Sequence, residues 1–312
     1  MAGHEWRWGR QLHGIIPPLI SPLDDAGVPE AGAMTALVDH VIGGGCSGLF
    51  MLGGCGEGAW LTSSQRGAVV RAAARAAAGR VPVLAGVMLP ATGPAVEAAR
   101  QAAGEGADAV VVGSPYYFGV EPAAQERHVE AVLAATPLPV LLYNIPQCTH
   151  HVLPADTVAR LARDPRVLGI KDSAGDFEAF QKLLAIKRER ADFRVLQGHE
   201  ALAAASLLQG GDGMVPGMAN LAPALFVSLQ AAADRGAAAE CAGLQRQVTA
   251  IARIYQQGPW LPALKAACAM LGLGNGRPAP PLTIAAPAAR EAIAALLDEA
   301  GLGAAAGAAR SR

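Results

Sequence analysis

The 312-residue sequence predicts an α/β fold, a (β/α)8 TIM barrel followed by a C-terminal helical appendix, on three observations. Eight short β-rich runs alternate with longer helical stretches between residue 13 and about residue 218. Several runs are apolar on both faces, as parallel strands are when helices cover one side and a core fills the other. No Gly-rich phosphate turn follows the first run, although an open doubly wound sheet would want one there. GGCGEG at 53–58 shows part of the dinucleotide spacing but has no third glycine where it belongs.

The runs are HGIIPPLI (13–20), GLFMLG (48–53), VPVLAGV (81–87), AVVVGSP (109–115), PVLLYNIP (139–146), VLGIKDS (167–173), RVLQGH (194–199) and GDGMVPGM (211–218), their starts mostly 26 to 35 residues apart. Helical composition occupies 30–43, 63–78, 93–104, 121–135, 154–163 and 176–188 between them. After residue 220 no strand is expected. Alanine-rich segments at 221–256, 259–271 and 287–300 read as helices, and GLGNGRPAPP at 272–281 breaks the pattern with turn glycines and residues lacking a backbone donor. The expected organisation is an extension over 1–12, a barrel over 13–220, a helical region over 221–300 and a fraying tail over 301–312.

Composition excludes several partners. A net charge of −1 with 16% charged residues lacks the basic excess that phosphate-backbone binding needs, and 52% hydrophobic residues is the wrong balance for disorder. No stretch offers the ~18 uninterrupted apolar residues of a membrane span. The start, MAGHEWRWGRQLHG, has Arg7 and Arg10 but no apolar h-region after them, so no signal peptide is read and a cytoplasmic location is expected. Cys46, Cys55, Cys148, Cys241 and Cys268 form no C-x-x-C pair and imply neither a disulfide framework nor a zinc site. Only four of the 25 basic residues are lysines, Lys171, Lys182, Lys187 and Lys265, which makes any lysine in an apolar setting conspicuous.

Barrel enzymes carry their chemistry at the C-terminal strand ends. Four ends hold polar residues that packing does not explain: Gly53-Gly54-Cys55-Gly56-Glu57, Ser114-Pro115-Tyr116-Tyr117, Tyr143-Asn144-Ile145-Pro146 and Lys171-Asp172-Ser173. Three of the four tyrosines fall there. Lys171 follows an apolar VLGI, so its amine is poorly hydrated, its pKa is depressed, and it becomes nucleophilic toward a carbonyl. The alternative use of such a lysine is a structural ion pair with Glu57 or Asp172. Tyr143, on the adjoining strand, can shuttle a proton during imine formation, or simply pack as a core tyrosine. The glycines at 53–56 permit a turn whose N–H groups hold a carboxylate, or a tight turn with no ligand.

GGCGE, SPYY, LYNIP, GIKDSAGD and GDGMVPGMAN, taken in this order, resemble the dihydrodipicolinate synthase / N-acetylneuraminate lyase family from about Gly14 to Leu297. ALKAACAMLGLGNGRPAPPL at 264–282 resembles that family's C-terminal helical region. The resemblance implies a (β/α)8 barrel, a homotetramer, no metal or organic cofactor, and condensation or release of pyruvate through a lysine imine. It makes Lys171 the imine lysine, Tyr143 the proton-transfer tyrosine and Tyr117 a second tyrosine that reaches a neighbouring subunit's site. Gly54, Cys55 and Gly56 become the turn that binds the pyruvate carboxylate, with Gly54-Cys55 standing where the family usually has two hydroxyl residues.

Cys148 stands where dihydrodipicolinate synthases carry an arginine for the aldehyde's carboxylate. Pyruvate with a small aldehyde or 2-keto acid is therefore the expected substrate pair, a hydroxylated 2-keto acid such as a 2-keto-3-deoxy sugar acid ahead of aspartate semialdehyde. His150 and His151 are acceptor contacts or surface residues. The alternatives are a 4-hydroxy-tetrahydrodipicolinate synthase and, in another class, a non-catalytic barrel that senses a keto acid.

Overall fold

The computed structural model describes residue 8 and residues 12–303, so most of the expected extension and tail lies outside the described residues. Eight parallel strands form one sheet: β1 (Gly14–Ile15), β2 (Leu49–Met51), β3 (Val83–Gly86), β4 (Ala109–Gly113), β5 (Val140–Asn144), β6 (Val167–Asp172), β7 (Arg194–Gln197) and β8 (Gly213–Met214). The hydrogen-bonded order runs from β2 through β8 to β1. Closure between β1 and β2 is made by Ser47 N donating to Ile15 O, Phe50 N to Pro17 O and Leu19 N to Phe50 O. Pro17 and Pro18 have no N–H to give, so this seam is a set of single bonds and not a regular ladder. The fold is the expected (β/α)8 barrel.

Side chains alternate as a filled barrel requires. Ile16, Phe50, Leu84, Val111, Leu141, Tyr143, Leu196 and Val215 form one buried interior cluster. Their strand neighbours Ile15, Met51, Ala85, Val110, Leu142, Val195 and Met214 pack outward into the larger cluster beneath the helices. The helices keep close to their expected ranges. Ser63–Ala77 starts with a reciprocal capping box between Thr62 and Gln65, and Phe177–Ala185 is capped by the Asp176 carboxylate.

Several expected elements are shortened or divided. HGIIPPLI supplies only two strand residues, because the prolines end the ladder, and GDGMVPGM gives two more before the 3₁₀ turn Gly217–Asn220. The segment 221–256 is not one helix but Pro223–Asp234 and Ala238–Ile251, divided at Gly236, followed by a 3₁₀ segment Ala252–Gln256. Trp260–Met270 and Pro287–Glu299 complete the appendix, and Ala203–Leu208 adds a short helix between β7 and β8.

The pairing of β5 with β6 contains the irregularity that matters most for chemistry. Val140 pairs with Val167, but Leu141 pairs with Gly169, so β6 carries one extra residue. Strict alternation from inward-facing Leu168 would turn residue 171 outward. The bulge resets the parity: Ile170 faces the helices and Lys171 faces the barrel. Gly169 has no room for a side chain, since a Cβ there would collide with the Arg194 carbonyl. Gly169→Ala is expected to destabilise the fold by about 2 kcal/mol or more, through backbone strain that cannot be relieved by a rotamer. A denaturant midpoint equal to wild type would show that the bulge has slack.

Candidate active site

Two neighbouring strands bring Lys171 and Tyr143 together, paired directly across β5 and β6 with Asn144 opposite Asp172. Asn144 Nδ2 donates to Asp172 Oδ1 at 2.7 Å, and Leu153 N donates to Asn144 Oδ1 at 3.0 Å, which fixes both strand ends. The Lys171 side chain is 3% exposed. Its Nζ lies 4.1 Å from the centre of the Tyr143 ring and 4.9 Å from that of Phe50, and the two rings meet edge to face. Burial lowers the amine's pKa to about 8, against the opposing pull of Cys55, Glu200 and Cys148. Burial likewise raises the pKa of the Tyr143 phenol, whose oxygen accepts from Ser173 Oγ at 3.4 Å.

Neither carboxylate expected as a structural partner reaches Lys171. Asp172 is turned to Asn144, and Glu57 is taken by Lys265, a buried ion pair from the helical appendix. Lys265 Nζ also donates to Arg277 O at 2.8 Å, and Ala279 N donates to Glu57 Oε1 at 2.6 Å. The appendix thereby anchors the turn after β2. Within that turn Gly56 must be glycine, because a Cβ would stand 2.7 Å from Leu52 N. Gly54, Cys55 and Gly56 donate to no backbone carbonyl among the described residues, which leaves N–H donors of the kind that hold a carboxylate. The Cys55 thiol is buried and its pKa is pushed up to about 12, so it stands protonated beside the amine.

Removing Lys265 strands the Glu57 carboxylate in the interior. Lys265→Met is expected to destabilise the protein by about 3–5 kcal/mol, the usual result of breaking a buried pair from one side. Chemical denaturation measures it, and a loss under about 1 kcal/mol would mean that water reaches Glu57.

A cleft of about 480 Å³ opens at these strand ends. Gly54, Tyr143 and Cys148 line it, together with Glu57, Tyr116, Trp60 and Trp260, while Lys171, Cys55 and Gly56 lie outside its lining. Tyr117 is 81% exposed at a left-handed φ of 84° and does not enter the cleft of its own chain. His150 is exposed, and His151 Nε2 sits 3.1 Å from Phe118 O, so the two histidines support the rim and not the lining. A larger groove of about 840 Å³, bordered by His40, Pro223 and Leu296, holds none of the strand-end residues.

Two residues near the amine escaped sequence reasoning. Glu200 accepts from Met218 N at 2.8 Å and from Tyr255 Oη at 3.3 Å, and burial raises its pKa. Glu200 lies just beyond the end of β7, where the strand-end rule would have found it. Tyr255 is the fourth tyrosine, and its place in an alanine-rich helical segment gave no sign that it enters the barrel mouth.

A family model described as the dihydrodipicolinate synthetase family matches residues 11–300. The chain is 35% identical to a 4-hydroxy-tetrahydrodipicolinate synthase of Hyphomonas neptunium over 93% of this chain and 99% of that one. It is 33% identical to a probable 2-dehydro-3-deoxy-D-pentonate aldolase of Escherichia coli over 94% and 99%. Among solved structures, a prophage protein of Escherichia coli K12 belonging to the dihydrodipicolinic acid synthase family, in complex with pyruvate, superposes with a TM-score of 0.89. The two are 32% identical, and the match covers 93% of this chain and 99% of that one. The dihydrodipicolinate synthase of Bacteroides thetaiotaomicron gives 0.88 at 36% identity, covering 92% and 98%.

Proposed function

The chain belongs to the dihydrodipicolinate synthetase family, and from that premise we propose that Lys171 is the lysine that joins pyruvate as an imine. The protein is a carbon–carbon lyase of this family, an aldolase that condenses pyruvate with an aldehyde or splits a 2-keto acid into those parts. One observation carries the assignment to Lys171: a buried amine with its pKa lowered to about 8, in no ion pair among the described residues, against a tyrosine at the barrel mouth. The neutral amine attacks C2 of pyruvate. The carbinolamine loses water with Tyr143 moving the proton, and deprotonation at C3 gives the enamine that attacks the aldehyde carbon. The N–H groups after β2 hold the pyruvate carboxylate.

Borohydride with pyruvate tests this. The wild type should gain the mass of pyruvic acid less one oxygen atom, and Lys171→Ala should gain nothing. An adduct at Lys265 or Lys182 overturns the assignment, and no adduct in the wild type favours a keto-acid sensor.

Among the described residues no arginine or lysine lines the cleft, and the position five residues after Tyr143 is Cys148. A missing charge-assisted contact to the second carboxylate costs on the order of 1.5–3 kcal/mol, so aspartate semialdehyde should be a poor acceptor. A specificity constant above about 10⁴ M⁻¹s⁻¹ for its condensation with pyruvate would refute this. The same reading assigns Tyr117 and Phe118, exposed side by side on the rim, to a subunit contact of a homotetramer. No helix among the described residues is long and apolar enough to cross a membrane.

A further inference from the structure

We propose that the acceptor is an apolar, ring-bearing aldehyde, such as an aromatic aldehyde, and that Trp60 and Trp260 grip its ring. The proposal rests on the reading of Lys171 as the imine lysine and names the second substrate of that site. Its ground is the wall of the cleft. Trp60 is 49% exposed and Trp260 45% exposed, both facing the same cavity, where they are joined by Met88, Tyr116, Ile145 and Leu282. Two large, half-exposed indoles on one concave surface are what an aromatic guest requires and what a packed core would have covered.

The carboxylate and the threonine hydroxyl of the same wall are taken by internal partners. Glu57 is the one charged residue in the lining among the described residues, and its oxygens are taken by Lys265 Nζ and Ala279 N. Thr149 Oγ1 donates within its own loop, to Ile145 O and His151 O. Cys148 offers a thiol, a weak donor. Apart from the Tyr116 and Tyr143 hydroxyls, the Cys148 thiol and the indole N–H groups of Trp60 and Trp260, no side chain in the lining among the described residues is left to replace the water that a carboxylated or polyhydroxylated acceptor must shed on entry. Polar groups buried without partners weaken binding, whereas a ring gains from leaving water.

The absent side chain at residue 54 adds shape to this chemistry. A Cβ on Gly54 would lie 3.8 Å from Trp260 Cη2 and nothing nearer, so the space beneath the indole is open. A hydroxyl residue here would fill that space and turn a polar group toward it. With glycine at 54 and cysteine at 148, the slot that leads from the rim to Tyr143 carries no charge on either side.

The reaction balances without any oxidant or further reactant. The enamine C3 forms a bond to the aldehyde carbon, the carbonyl electron pair moves to oxygen, and that oxygen takes a proton. Hydrolysis then returns the water lost in imine formation. The product from benzaldehyde is 4-hydroxy-2-oxo-4-phenylbutanoate, and cleavage is the same path reversed.

The test is a set of initial rates at saturating pyruvate with benzaldehyde, 3-phenylpropanal, D-glyceraldehyde and aspartate semialdehyde, beside borohydride trapping with pyruvate alone. The ring-bearing aldehydes are expected to show kcat/KM at least about tenfold above both polar ones, the scale on which pocket contacts discriminate. Trp260→Ala is expected to raise KM for benzaldehyde about tenfold, and Trp260→Phe to restore most of it, with Trp60→Ala as the independent second variant. Equal or greater kcat/KM for D-glyceraldehyde or aspartate semialdehyde, or unchanged KM in both alanine variants, overturns the proposal. Absence of a pyruvate adduct at Lys171 would instead remove the imine reading beneath it, so the two failures are told apart.

Discussion

Lys171→Met is expected to abolish turnover while raising the thermal midpoint at neutral pH. The first half follows from losing the only nucleophile in the proposed mechanism, with a rate loss of at least about 10⁴-fold. The second follows from where the amine sits. An ordinary lysine titrates near 10.4, and burial brings Lys171 down to about 8. Below pH 8 the folded protein must hold a buried ammonium that the unfolded chain solvates freely. The penalty is therefore fully present below pH 8, shrinks as pH rises toward the unfolded value, and is gone above it. Its size is about 3 kcal/mol at most, part of which the Tyr143 and Phe50 rings offset. Methionine keeps the volume and discards the charge. The variant should melt a few degrees higher at pH 7, and the gap should close in alkaline buffer. A destabilised variant at pH 7 would show that the amine is held by partners other than the two rings.

The same pKa bears on rate. At pH 7 about one amine in ten is neutral when its pKa is 8, against about one in 2,500 for an ordinary lysine. Trapping by pyruvate should accelerate with rising pH and level off above about 8. A profile still climbing through pH 10 would place the lysine in water, contrary to its burial.

The eight-fold alternation of runs was legible because parallel barrel strands need two apolar faces and helices need their own period, and both leave marks in short windows of sequence. The closing seam was not, since it depends on Pro17 and Pro18 facing β2 across a turn of the chain. Lys171 could be assigned to a strand end, yet its inward aim depends on the bulge at Leu168–Gly169, which leaves only a glycine as its trace. The partner of Glu57 was hidden for a different reason: Lys265 is separated from it by 208 residues, and no local pattern encodes that approach. Tyr255 and Glu200 meet in the same way, across 55 residues. Local periodicity thus gives the frame, while the electrostatic setting of the amine is assembled by contacts between the barrel and the appendix.

Tyr143→Phe removes one oxygen and preserves nearly everything else that the structure assigns to this side chain. The ring remains against Phe50 and under Lys171 Nζ, so the apolar packing and the cation–π contact persist. The one hydrogen bond lost is the long one from Ser173 Oγ, which predicts a stability change within about 1 kcal/mol. The kinetic effect should be far larger. The phenol is carried by the ring over which Lys171 Nζ sits, and its raised pKa keeps it protonated and ready to donate. Loss of such an acid–base group slows turnover by roughly 10²-fold or more. The deficit should fall on kcat, because pyruvate binding by the β2 turn does not involve the phenol. Borohydride trapping should still reach completion, only more slowly, since the amine remains in place. A variant with unchanged kcat would reduce Tyr143 to a packing residue and send the proton to Glu200 and Tyr255 instead.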